Sequence, residues 1–176
     1  MKLYTALSAA ILLSAGLSEA RSQPLDRISG HYTAQNTGSA AGNAQMPAKN
    51  SLDLVPVTPN DAYFRIALQT GEQHRCAISG IGVWDGSKLI YKTKPASLPR
   101  ANPPCILIVQ WDATGASLYD KTGVCKVAYC TGTSGFSGVH FPLSGRSSVN
   151  NAGTLRQSTD YAEALSIWRT SRFPMK

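Results

Sequence analysis

The sequence predicts a mainly β domain: a small antiparallel barrel or sandwich of about eight strands, with a short C-terminal helix and two disulfides. Three observations point there. Short runs of alternating apolar and polar residues are separated by turn signals about every 8–12 residues. The chain opens with the layout of an export signal. It also carries an even set of four cysteines. The length of 176 residues and the 43% hydrophobic content suit one globular domain. They leave no room for a TIM barrel, or for a Rossmann domain joined to a substrate domain.

Met1-Lys2 is a basic start, Leu3 to Leu17 is apolar or small, and Ser18-Glu19-Ala20 places small residues before a cut after Ala20. This is the pattern of a cleaved secretory signal. The apolar stretch is short for a bilayer span, and no cysteine follows the cut to carry a lipid. The expected division is therefore residues 1–20 as signal peptide, 21–143 as the β domain, 144–157 as a linker and 158–173 as a helix packed on the domain. The expected location is the periplasm or the cell exterior, with no other membrane span.

The strands follow in order. Ile28 to Gln35 reads as the first, and residues 36–50, poor in large apolar groups, read as a loop. Leu52, Leu54 and Val57 alternate with polar or turn residues, and so do Phe64, Ile66 and Leu68. Cys76 to Trp84 is a further strand, in which Gly80 and Gly82 point to a bulge or bend. Asp85-Gly86 marks a hairpin into Leu89-Ile90-Tyr91. A proline-rich connection then leads to Cys105 to Trp111, the most apolar run, followed by strands at 117–119, 127–130 and 138–143. The tail changes character. Ser158 or Thr159 can cap a helix, Asp160 and Glu163 favour its first turn, and Tyr161, Leu165 and Trp168 recur at helical spacing.

In an oxidising compartment Cys76, Cys105, Cys125 and Cys130 are expected to form two disulfides. Of three connectivities, Cys76–Cys105 with Cys125–Cys130 is preferred. The first bond would join neighbouring strands and close a loop of about 30 residues, contributing on the order of 3 kcal/mol. Without a CxxC pair the four do not match a zinc framework, so no metal and no cofactor are expected.

No catalytic signature appears. Gly132-Thr133-Ser134-Gly135 lacks the offsets of a nucleophile elbow, and Lys121-Thr122-Gly123 has no Ser-x-x-Lys or Ser-Asp-Asn partner. No dinucleotide fingerprint or P-loop occurs. His31, His74 and His140 could act as bases with Asp61, Asp85, Asp112 or Asp120, but each of those acids sits in an expected turn, where Asp caps backbone amides. The chain is therefore read as non-enzymatic.

The net charge is +7, and losing Lys2 and Glu19 with the signal leaves it unchanged. Lys88, Lys92, Lys94 and Arg100 cluster around the Trp84–Tyr91 hairpin. A basic surface steers anionic partners. Trp84, Lys88, Tyr91 and Lys92 are the candidate contacts there, although one or both of the aromatic residues is expected in the core. No nucleic-acid motif is present.

The signal, the strand-rich body and the cysteine spacing resemble small exported proteins of Gram-negative bacteria, and among these the periplasmic lysozyme-inhibitor families. Ser29-Gly30-His31-Tyr32 reads as the S-G-x-Y pattern that some of those inhibitors place in the loop entering the lysozyme cleft. The resemblance implies contact roles for Ser29, Gly30 and Tyr32. The expected function is a binding protein of the inhibitor or immunity type, occluding an envelope-acting enzyme such as a cell-wall hydrolase. The alternative is a module for an anionic envelope polymer or a small ligand.

Overall fold

The structure is a computed structural model that describes residues 24–35, 49–69, 74–100, 102–149 and 152–172. The expected signal peptide lies outside these residues, as do 36–48 of the expected loop. The first described element is one helical turn, α1 (Leu25–Ile28), where a strand was expected to begin at Ile28. Strands β1 (Gly30–Gln35), β2 (Lys49–Thr58), β3 (Asp61–Gln69), β4 (Arg75–Trp84), β5 (Lys88–Thr93), β6 (Cys105–Trp111) and β7 (Gly115–Asp120) follow as an antiparallel meander. After helix α2 (Val124–Tyr129) come the short strands β8 (His140–Pro142) and β9 (Arg146–Ser147), then helices α3 (Ala152–Arg156) and α4 (Thr159–Arg172).

The nine strands form one sheet in the order β8-β7-β6-β5-β4-β3-β2-β1-β9. β8 lies against β1, so the sheet curls into a nearly closed barrel. Period-2 patterning explains the curl, because every long strand sends alternate residues inward. The inward set includes Tyr32, Leu52, Leu54, Phe64, Ile66, Leu89, Leu107, Val109, Leu118 and Phe141, all in one buried cluster. Aromatic edges tighten it: Trp84 meets Trp111 at 5.5 Å between ring centres, and Phe64 meets Tyr91 at 5.1 Å.

Four expectations are corrected. The disulfides join Cys76 to Cys130 and Cys105 to Cys125. The reason is α2, which occupies most of the segment 127–130 expected to be a strand: a helix there holds Cys125 and Cys130 apart and presents each to a different strand. Gly123, in a left-handed turn (φ 72°), and the Asp120 carboxylate, accepting the Lys126 amide at 2.8 Å, start that helix. Of the bulge or bend expected at Gly80 and Gly82, no bulge occurs in the β3–β4 ladder, which pairs without a break. A Cβ at Gly80 would stand 2.3 Å from the Tyr91 ring, so glycine makes room for that inward side chain. The one register shift in the β2–β3 ladder falls at Pro56/Thr58. Finally, the expected linker 144–157 carries β9, which pairs with β1, and α3.

Candidate binding surface

A filled barrel has two exteriors to offer here, one covered by helices and one bare. On the covered side the ladders place Val55, Tyr63 and Ile81 in one outward row across β2, β3 and β4. Leu155 of α3 and Ala164 of α4 pack on that row, and Tyr161 meets Tyr63 edge-on at 5.0 Å. The helix begins as its residues require: the Ser158 hydroxyl accepts the Tyr161 amide at 3.2 Å. At its far end the Trp168 indole donates to Asp61 at 3.4 Å.

Beside this seam runs a polar row that the pairing register brings together: Ser147, His31, Asp53, Arg65 and Ser79. The Asp53 side chain is 4% exposed and is held from both sides. His31 Nδ1 lies 2.7 Å from its Oδ1, and Arg65 donates through Nε and Nη2 to Oδ2 at 3.0 and 2.8 Å. Sequence alone missed this cluster, because Asp53 lies within a strand and not in a turn. The available signal was a lone acid between Leu52 and Leu54, where strand alternation turns it away from the core. Tyr63 stands near the same row; burial raises its pKa, and Ser79 and Arg65, which act the other way, are opposed by the Asp160 and Asp53 charges and leave it raised.

The bare side is formed by β4 to β7. Register alone aligns Val83, Ile90, Ile108 and Tyr119 in a transverse outward row. Val83 is 46% exposed and Tyr119 55%, with Ile90 and Ile108 partly exposed between them. A polar row borders it on one side: Lys88, Gln110, Ser117 and His140, with His140 Nδ1 at 3.0 Å from the Ser117 hydroxyl. On the other side lie Lys92, opposite Ile106, and Lys121, whose amide donates to the Ile106 carbonyl. Lys88 pairs with Asp85 at 3.5 Å. Burial works slightly against the Asp85 charge, but the Lys88 and Ser87 amides outweigh it and hold its carboxyl below the usual range.

The candidate contacts of the hairpin are divided by the strand pleat. Lys88 and Lys92 point outward and border the bare row. Tyr91 points inward onto Phe64, and its pKa is raised by burial. Trp84 is 7% exposed and belongs to the core, and Tyr91 is partly buried against it. The Ser29-Gly30-His31-Tyr32 quartet is likewise built into the fold. Ser29 closes α1 by donating to the Leu25 carbonyl at 2.8 Å, and Gly30 is buried against Arg146 and Ser147. Tyr32 is 0% exposed; it donates to the Ile28 carbonyl and accepts from Trp111 Nε1.

The other histidine and aspartate candidates have local partners. His74 Nδ1 accepts the Thr133 amide at 3.1 Å. Asp112 accepts the Thr114 hydroxyl and amide and the Gly115 amide, which lower its pKa. Among the described residues no group of three or more His, Cys, Asp or Glu could hold a metal, and no helix is long and apolar enough to cross a membrane. No family model matches the chain, and no curated protein or solved structure matches it either.

Proposed function

We propose that this chain is an exported, non-enzymatic binding protein that engages a protein of the cell envelope, in the manner of an inhibitor or immunity protein of a cell-wall hydrolase. The observation that carries this reading is the packed interior. Tyr32, Phe64, Trp84, Trp111 and Phe141 fill the space that a ligand-carrying barrel leaves open, so recognition falls to the outside. Two disulfides fit an oxidising compartment.

A pull-down from envelope extract with residues 21–176, eluted at low and then high salt, tests it. A single stoichiometric protein that survives high salt is the expected result. The charge of +7 favours one second reading, an anionic envelope polymer. Recovery of salt-labile polymer alone would replace the first reading with that one.

A further inference from the structure

We infer that the bare outer face of β4–β7 is the docking surface, and that its occupant is a protein patch with an apolar centre and carboxylates along the flank that meets Lys92 and Lys121. This rests on the binding-protein reading and names its site and partner chemistry.

Three observations carry it. The first is the alignment of Val83, Ile90, Ile108 and Tyr119 on four neighbouring strands. At about 4.8 Å between strands the row is roughly 14 Å long. Tyr119 offers a large amphipathic side chain of the kind that anchors interfaces. The second is what the same barrel does next door. The equivalent outward row, Val55–Tyr63–Ile81, is covered by α3 and α4, and α4 reaches as far as Asp61, the β3 residue paired with Val83. Ile81 of the covered row and Val83 of the bare row are successive outward residues of β4, so the bare row adjoins an apolar surface that the chain itself covers with packed side chains.

The third is charge. Lys88 stands on one side of the row and Lys92 and Lys121 on the other, while Asp85 sits on Lys88 alone. Flanking carboxylates on the partner would meet Lys92 and Lys121. A second copy of this chain would bring lysines against lysines. A polyanion would satisfy the lysines and leave the apolar row in water.

The test places a photo-reactive benzoylphenylalanine at position 119, and separately at exposed Ile167 on α4, in the full chain exported by its producing cells. Irradiation is expected to yield one discrete protein adduct from position 119 and none from 167. Mass spectrometry of the attached peptide should find apolar residues flanked by Asp or Glu. The double variant Lys92→Glu/Lys121→Glu, checked for an unchanged melting temperature, should lower the adduct yield about tenfold.

Several results would overturn the inference: equal adducts from both positions, adducts from 167 only, attachment to a second copy, a polymer smear, or indifference to the charge reversal. The pull-down separates the two levels. A stoichiometric partner captured by the native chain without a 119 adduct removes this surface and leaves the binding-protein reading standing. No partner in either experiment removes both.

Discussion

On the β2–β4 side of the barrel, the outward residues Val55, Tyr63 and Ile81 lie beneath two helices. On the β4–β7 side, Val83, Ile90, Ile108 and Tyr119 face solvent. Both rows arise from the same alternation, and both are apolar in the middle with polar rows beside them. They differ in the charges that border them. The covered seam runs beside a carboxylate already satisfied within the chain by His31 and Arg65. The bare row is bordered by lysines of which only Lys88 has an ion-pair partner among the described residues. One side is built to hold the molecule together. The other leaves its apolar groups and its charges open to another molecule.

The largest expected effect breaks the covered side. Tyr63→Ala removes a buried ring from beneath α4 and should cost about 3–5 kcal/mol in urea unfolding. The same change at Tyr119 should not approach this; a comparable loss there would end the distinction between the faces. Asp53→Ala should cost about 1.5–3 kcal/mol, the range for hydrogen bonds to a charged group, since two donors lose their acceptor at once. The Ser158→Ala variant loses the α4 cap and should cost about 1 kcal/mol by the same measurement.

The bare half has its own interior, and pH probes it. Burial first, then the neighbouring Tyr91, pushes the Tyr129 phenol up to about 12 from an ordinary value of 10.0. A raised folded-state value favours the neutral phenol, so its contribution is complete below pH 10.0 and is lost as pH climbs to about 12. Urea titrations across that window should show falling stability, and Tyr129→Phe should flatten the slope. The smallest effect is the most discriminating. Tyr119→Ser and Val83→Ser should change stability by no more than about 0.5 kcal/mol, while abolishing the position-119 contact surface.

Much of the barrel was legible, because alternation depends only on neighbouring residues. Phe64, Ile66 and Leu68 turned inward as their spacing required, and the Asp85-Gly86 hairpin stands where its turn chemistry placed it. What sequence could not settle was which side of each strand faces the core. In β5 the pleat sends Lys88 and Lys92 out and Tyr91 in, and only the pairing with β6 decides that. Short apolar runs are ambiguous for the same reason, so 127–130 read as a strand where α2 forms, and the disulfide partners changed with it. The His31–Asp53–Arg65 cluster depends on three strands being in register, which spacing along the chain does not encode.

The Cys76–Cys130 bond has a mechanical consequence. Its sequence separation is 54 residues, and Val83, Ile90, Ile108 and Tyr119 all fall inside that interval, whereas His31, Asp53, Tyr63 and both C-terminal helices fall outside. Pulled from its two ends, the oxidised chain can pay out β1–β3 and α3–α4, but tension bypasses everything between the two sulfurs. The extension at rupture should be shorter than that of the reduced chain by roughly 180–190 Å, at 3.3–3.6 Å per residue. The half of the molecule that carries the bare row is thus the half that tension on the chain ends cannot unravel.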